Sequence, residues 1–200
     1  MKIVTPRILA LVIAILPSLA ASHVVLQKWE AYAGYQEYVT FVVPHGCGNS
    51  PTVEVRVKIP DGITIAAPEQ KAGWVTKITR RKLSEPIIGE GGARVSEVVD
   101  EVSWSSGNLP ADQLGLFTVL VRTPDAPGRV LYFKTIQKCA QGETRWVDVI
   151  PEGEPTWKLW ARPAPSPFLV LKKTEQPQLG ASMQQILEER KRLGSPSAPR

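Results

Sequence analysis

The stretch Val53-Glu54-Val55-Arg56-Val57-Lys58-Ile59 alternates strictly between apolar and polar residues. A period of two is typical of a β-strand that has one face buried and the other in water. Pro60-Asp61-Gly62 follows immediately and predicts a tight turn. This stretch therefore predicts a half-buried strand, and it indicates that the chain around it forms a β-sheet.

Similar short segments lie on both sides of this strand, separated by loops that contain Pro, Gly, Asn or Asp. We expect further strands at Val24–Trp29, Tyr35–Val43, Trp74–Arg81, Val95–Trp104, Leu116–Arg122, Val130–Gln137 and Arg145–Ile150. Many short strands at fairly even spacing predict an all-β protein with an antiparallel β-sandwich. After Pro151, repeated prolines predict an extended segment over the sandwich, anchored by Trp157, Trp160 and Phe168–Leu171.

The first 22 residues have the features of a secretory signal peptide. Lys2 and Arg7 form a short basic region, and the apolar run Ile8–Leu16 follows it. Ala20-Ala21-Ser22 then supplies the small residues that a signal peptidase recognises. The run is shorter than the roughly 20 residues that span a bilayer, although an uncleaved anchor stays an alternative. We expect a periplasmic or secreted protein with residues 1–22 as signal peptide, 23–171 as one β-sandwich domain, and 172–200 as a polar tail, partly helical or disordered.

The position of the cut decides which metal ligands the mature N-terminus offers. Cleavage after Ser22 makes His23 the first residue, and its free amine and ring can hold one metal ion. Cleavage after Ala20 leaves Ala-Ser-His, which binds through the amine, two ionised backbone amides and the ring. Both nitrogen-rich sets suit Cu(II), but they are different sites.

The net charge of +5 does not indicate a nucleic-acid-binding protein. The leader carries two of the surplus positive charges and residues 172–200 carry three, so residues 23–171 are neutral. A nucleic-acid-binding domain carries its basic surplus on its folded surface. We therefore expect no nucleic-acid partner.

The two cysteines of the chain, Cys47 and Cys139, lie far apart in the sequence. An even pair in an exported protein predicts a disulfide, which would stabilise the fold by roughly 4–5 kcal/mol in the chain-entropy model. A Cys/His metal site is the alternative, because His45 lies two residues before Cys47.

A series of short motifs follows the cleavage region in a fixed order. The most distinctive are His23-Val24-Val25-Leu26, Val43-Pro44-His45-Gly46-Cys47, Ile59-Pro60-Asp61-Gly62, Gln137-Lys138-Cys139 and Arg145-Trp146. The ordered set covers about residues 23–171 and resembles the YcnI-like family of exported copper-binding domains, in the form that carries Val-Pro-His-Gly-Cys. The resemblance implies an immunoglobulin-like or cupredoxin-like β-sandwich that holds Cu(II) at its mature N-terminus.

The resemblance also implies a ligand set. In this family the N-terminal histidine binds copper through its amine and ring, beside a second side chain and a tryptophan. His23 matches the first role, and Trp146 matches the tryptophan next to the metal. Some relatives have a glutamate shortly after the Val-Pro; His45 replaces it here, which gives an amine and two imidazoles, a histidine brace. Relatives of this form are acidic near Leu114–Phe117, where this chain is apolar, so we expect no carboxylate ligand from that loop.

We therefore expect an exported protein that binds one Cu(II) for copper storage, buffering or delivery, and that is not an enzyme. The resemblance implies transfer to another extracytoplasmic copper carrier or to a membrane copper transporter. Two other classes stay open, a histidine-brace copper enzyme of the oxidase type and a metal-free adhesion or scaffold module. Zinc at a two-histidine site also stays open.

Overall fold

The structure, a computed structural model, describes residues 23–89, 92–173 and 191–192. The predicted signal peptide and most of the predicted tail lie outside these residues. The described strands are β1 Val25–Leu26, β2 Glu30–Tyr32, β3 Gln36–Val43, β4 Thr52–Lys58, β5 Ala66–Pro68, β6 Val75–Ile88, β7 Arg94–Ser105, β8 Gly115–Arg122, β9 Val130–Tyr132, β10 Thr135–Cys139, β11 Glu143–Trp146 and β12 Phe168–Lys172. A 3₁₀ helix spans Thr156–Ala161. Among the described residues, no helix has the length and apolar character to cross a lipid bilayer.

The strands form a sandwich, as the sequence predicts. One sheet has the order β1-β3-β8-β5, the second has the order β11-β10-β4-β7-β6, and a smaller sheet has the order β2-β12-β9. The strand pairs are antiparallel except for β2 with β12, which run parallel. The predicted antiparallel β-sandwich is therefore confirmed.

The core lies between the four-stranded and five-stranded sheets. Along β4, Val55 and Val57 are fully buried while Arg56 between them is partly exposed, so the predicted alternation is confirmed from Val55 onward. At the start of the strand Thr52 is buried and Val53 only partly buried. Trp104 on β7 meets Phe117 on β8 across the core, with ring centroids 5.3 Å apart. Burying side chains of this size contributes about 1.5–3 kcal/mol each to the free energy of unfolding, so this layer holds the two sheets together.

The predicted strand Val130–Gln137 is wrong as a single element. It divides into β9 and β10, because Phe133 and Lys134 carry the chain from the three-stranded sheet into the five-stranded sheet. Strand β6 continues past the predicted end at Arg81 and includes Pro86. A proline is tolerated there because β6 is the edge strand of its sheet, where one row of N–H groups needs no partner.

The segment after Pro151 differs from the predicted extended conformation. Thr156–Ala161 forms the 3₁₀ helix, and its buried residue is Leu159. Trp157 and Trp160, which the sequence suggested as anchors, are exposed. The buried Leu159 thus anchors this segment, and the indoles of Trp157 and Trp160 face outward.

Candidate metal centre

His45 lies in the connection between β3 and β4, two residues after the end of β3. Its Nδ1 lies 2.5 Å from the backbone oxygen of Gly46. Because a carbonyl oxygen only accepts, this hydrogen bond assigns the ring proton to Nδ1 in the neutral imidazole. The other ring nitrogen, Nε2, is buried and has no hydrogen-bond partner. His45 therefore presents a lone pair that is shielded from water and not used within the fold.

The loop that carries His45 is closely packed at Gly46. The Gly46 N–H donates to the oxygen of Ala111 at 3.0 Å. A Cβ atom at position 46 would lie 2.0 Å from the backbone oxygen of Ser50 and 3.0 Å from the Cα of Ala111. Because backbone atoms cannot move aside cheaply, only glycine fits here without a shift of the loop.

Two further contacts hold this loop against β10. The amide of Gln137, itself buried, donates from Nε2 to the oxygen of His45 at 2.7 Å and to Oγ1 of Thr52 at 2.8 Å. Cys47 and Cys139 form a disulfide with Cα atoms 6.0 Å apart. The predicted disulfide is confirmed, and the alternative of a Cys/His metal site is excluded because both sulfurs are used.

Strand pairing places His23 near the start of this loop. Strand β1 pairs with β3 so that Val25 lies opposite Val42 and Leu26 opposite Phe41. Continuing this register places His23 opposite Pro44, next to His45. The buried side chain of Val24 fixes the chain immediately after His23. His23 thus lies just before β1 and His45 just after β3, at the same end of this strand pair.

Trp146 closes the same region from β11. Its residue is 6 % exposed, and its indole meets the His23 ring edge-on, with centroids 5.0 Å apart and an angle of 75° between the planes. The indole Nε1 is buried without a hydrogen-bond partner. On another side of His23 lies Trp160, with ring centroids 6.2 Å apart.

The unpartnered atoms are unusual for the interior of a protein. Most buried side-chain nitrogens have a hydrogen-bond partner, and leaving one unpaired costs about 1–3 kcal/mol. The two buried side-chain atoms without a partner in the described part of the chain are Nε2 of His45 and Nε1 of Trp146. They belong to the residues that the sequence analysis singled out beside His23. This coincidence makes the region the candidate binding site.

The candidate site contains no cluster of acidic or sulfur ligands. Within the described residues, no group of three or more His, Cys, Asp or Glu side chains is arranged to hold a metal ion. A histidine brace does not need such a group, because one of its three nitrogens is the terminal amine. The segment Leu114–Phe117 contains no Asp or Glu and therefore supplies no carboxylate. Its Gly115 lies opposite Val43 at the end of β3, and Leu114 and Leu116 are exposed.

Gln137 and the packing at Gly46 are parts of this site that the sequence did not reveal. One signal was available for Gln137. On β10 the positions in phase with the core are Thr135, Gln137 and Cys139, and all three are buried. A long polar side chain in the buried phase of a strand indicates an internal hydrogen-bond network, but it does not reveal which loop the network holds.

Comparison with known proteins agrees with the fold. A family described as a domain of unknown function, DUF1775, matches residues 23–169. A crystal structure of an uncharacterized protein from Nocardia farcinica, described as revealing an immunoglobulin-like fold, is similar with a TM-score of 0.53 and 22% sequence identity. The similarity covers 76% of this chain and 99% of that chain, and it concerns the fold alone. The search of curated proteins gives no match. Because the family match extends over most of the chain, the protein belongs to the DUF1775 family, which includes the YcnI-like domains.

Proposed function

We propose that the mature protein binds one Cu(II) ion through the amine and ring of His23 and through Nε2 of His45. The observation that supports this most directly is the buried and unpartnered Nε2 of His45, whose Nδ1 is already engaged by a carbonyl. Metal-binding histidines typically donate their other ring N–H to a carbonyl or carboxylate, which fixes the tautomer and the ring orientation. His45 has this arrangement in the protein alone, through its contact with Gly46.

The ligand chemistry favours copper over other divalent ions. Three nitrogen ligands suit the tetragonal preference of Cu(II), which is also the strongest binder of the divalent first-row series. Trp146 offers no good donor atom for a metal, so its buried indole would shield one side of the ion and limit access of water. A free α-amino group has a pKa of about 8. Copper binding therefore releases a proton, and it weakens as the pH falls below that value.

The proposed role is storage, buffering or delivery of copper rather than catalysis. An enzyme that activates oxygen at a brace needs open positions on the metal, and the indole of Trp146 lies directly beside the His23 ring. We propose delivery to another extracytoplasmic copper carrier or to a membrane copper transporter. The proposal requires export and cleavage after Ser22, and the start of the family match at residue 23 supports it.

The test begins with the mass of the exported protein. A mass that starts at His23, with one Cu(II) bound through nitrogens in electron paramagnetic resonance, is expected. The variant His23→Ala should lose the tight site, and His45→Ala should lose the signal of one imidazole. A matched control adds one alanine before His23, which keeps both imidazoles but moves the amine, and it should also lose the brace signal.

Three results would contradict the proposal. A mass that starts at Ala21 would replace the brace with an Ala-Ser-His chelate. Zinc that displaces copper at equal concentration would contradict the choice of metal. A correctly cleaved protein that binds no copper would exclude the site altogether.

A further inference from the structure

A groove lined by aromatic rings lies beside the candidate metal centre. It has a volume of about 610 Å³, and Trp29, Trp157, Trp160 and Phe168 line it. Trp160 connects the groove to the metal centre, because its ring also lies next to His23. The tryptophan Trp146, by contrast, does not line the groove. The groove is therefore a separate surface that borders the proposed copper site.

The tryptophans of this groove are exposed to an unusual degree. Trp29 is 53% exposed, Trp157 67% and Trp160 41%. Large aromatic side chains normally lose most of their exposed area on folding, and an exposed apolar patch with a polar border commonly marks a binding site. Three exposed indoles in one groove thus indicate a ligand that covers their faces.

The rings of Trp29 and Trp160 are held in place without any ligand. The Nε1 of Trp29 donates to the oxygen of Leu26 at 3.1 Å, so its polar atom is satisfied and its ring is fixed. Trp160 packs against Trp29 and Phe168, with centroids 5.9 and 6.1 Å away. The buried Leu159 fixes the helix that carries Trp160. Because the rings are ordered in advance, binding costs little conformational entropy.

The charges of the groove indicate a neutral ligand. Its charged lining residues in the described structure are Lys28 and Glu30, and both are paired. Lys28 lies 3.1 Å from Glu37, and Glu30 forms an ion pair with Lys172. The groove thus offers no surplus charge to a nucleic acid or an acidic peptide.

We propose that this groove binds a neutral polysaccharide. A pyranose ring with equatorial hydroxyls has two apolar C–H faces and a polar edge, so it stacks on an indole face while its hydroxyls point sideways. Gln27 and Thr156 line the groove beside the indoles and supply uncharged hydrogen-bonding groups for those hydroxyls. The ligand class is a chain of neutral pyranoses with equatorial hydroxyls, and a β-1,4-linked glucan is the simplest probe of that class.

A peptide fits this groove less well. Peptides that dock on all-β domains add a strand to a free sheet edge or insert side chains into pockets. Here the backbone next to the groove is already paired, because the N–H of Val170 donates to the oxygen of Trp29 at 2.8 Å. The proposal concerns binding only, and it does not depend on the copper site.

The test is affinity electrophoresis of the metal-free mature protein in native gels. Soluble hydroxyethyl cellulose is the neutral probe, and carboxymethyl cellulose is the anionic probe with the same backbone. We expect retardation in the neutral gel, and affinity at least roughly tenfold lower in Trp157→Ala, as for an aromatic residue at the centre of an interface. Trp157→Phe keeps an aromatic ring, so its affinity should lie between those of the wild type and Trp157→Ala. The control Tyr38→Ala removes an aromatic side chain that is 68% exposed and lies outside the groove, and it should behave as wild type.

Several results would overturn this proposal. Retardation only in the anionic gel, or equal retardation of Trp157→Ala and wild type, would exclude sugar stacking. A dimer in sedimentation that Trp157→Ala disrupts, without retardation in the neutral gel, would show that a second copy of the chain covers the groove. If circular dichroism shows Trp157→Ala to be unfolded, Trp157→Phe and Gln27→Ala replace it, and unchanged affinity in both would overturn the proposal. Since no metal is present, none of these results bears on copper binding.

Discussion

Gln137→Met tests whether a buried amide positions the proposed copper ligand His45. Gln137 donates two hydrogen bonds inside the protein, to the oxygen of His45 and to Oγ1 of Thr52. Methionine has a similar length and volume, so the substitution removes both hydrogen bonds without opening a large cavity. The imidazole of His45 is not touched directly.

The expected loss of stability follows from these two contacts. A hydrogen bond between neutral groups contributes about 0.5–1.5 kcal/mol, and a buried acceptor left unpaired costs about 1–3 kcal/mol. We therefore expect the free energy of unfolding of the metal-free protein to fall by about 2–4 kcal/mol. The disulfide still holds the far end of the loop, so the fold should persist.

The affinity for copper should fall as well, because binding must now order the loop that carries His45. An ordering cost of about 1.4 kcal/mol corresponds to a tenfold increase in the dissociation constant. We expect an increase of roughly tenfold, measured by competition with a chelator, together with a weaker signal from the second imidazole. Denaturant unfolding in the presence of excess chelator gives the stability separately.

Thr123→Val is the matched control for this experiment. Thr123 is also buried, and its Oγ1 lies 2.8 Å from the oxygen of Tyr32 and 3.0 Å from the oxygen of Tyr35. Tyr32 and Tyr35 precede the start of β3, whereas His45 follows its other end. The control should lose a comparable amount of stability while its copper affinity stays unchanged. If Gln137→Met binds copper within twofold of wild type, or if both variants lose affinity equally, Gln137 does not position His45.

Three other perturbations probe the loop and the fold. Gly46→Ala places a Cβ atom 2.0 Å from the oxygen of Ser50, so we expect a shifted loop and loss of one imidazole from the copper spectrum. Replacing both Cys47 and Cys139 with serine should lower the free energy of unfolding by about 2–5 kcal/mol and also weaken copper binding, measured by unfolding and by chelator competition. Burial raises the pKa of Tyr132 above its ordinary value of 10.0. Above pH 10 the unfolded chain therefore loses a proton that the folded chain keeps, and the free energy of unfolding falls as the pH rises further; Tyr132→Phe should lack this contribution in unfolding curves.

Two of these experiments have a control variant in the same chain. Gly48 has a φ of 61° with nothing near its missing Cβ, so Gly48→Ala should cost about 1 kcal/mol of backbone strain and leave the copper spectrum intact. A changed spectrum in Gly48→Ala would show that any mutation in the loop disturbs the site. Copper affinity that survives loss of the disulfide would show that the disulfide is not needed to position His45. An alkaline loss of stability equal in Tyr132→Phe and Tyr38→Phe would contradict the role of burial.

The sandwich was predictable because strands with one face in water alternate apolar and polar residues. Along β4 from Val55 onward the alternation of buried and outward residues matches the strand as found. The same signal failed at Val130–Gln137, because the alternation of side chains continues through Phe133 while the backbone leaves one sheet and enters another. A change of hydrogen-bonding partner leaves no mark on the pattern of side-chain polarity. Trp157 and Trp160 were expected to anchor the segment after Pro151, and both are exposed.

The candidate site was predictable in part. His23, His45 and Trp146 were predicted from the sequence. The structure brings His23 against Trp146 and places His23 and His45 at the same end of the β1–β3 pair. Contacts that depend on three-dimensional packing, such as Gln137 with the oxygen of His45, were not predictable, because the partners are 92 residues apart in the chain. Spacing along one strand cannot show which distant loop lies above it.

The unsatisfied atoms at this site connect its stability to its function. Gln137, the disulfide and the tight packing at Gly46 all hold the backbone around His45, yet Nε2 of His45 and Nε1 of Trp146 remain unpaired beneath the surface. A loop under selection for stability alone would place an apolar side chain there, since an unpaired buried nitrogen is destabilising. Strong anchoring of a backbone that carries an unfavourable side chain is expected where that side chain has a ligand to bind. The cost of the free lone pair is thus offset by contacts that do not touch it, and in the proposed function these contacts would hold the ligand nitrogen in position before the metal binds.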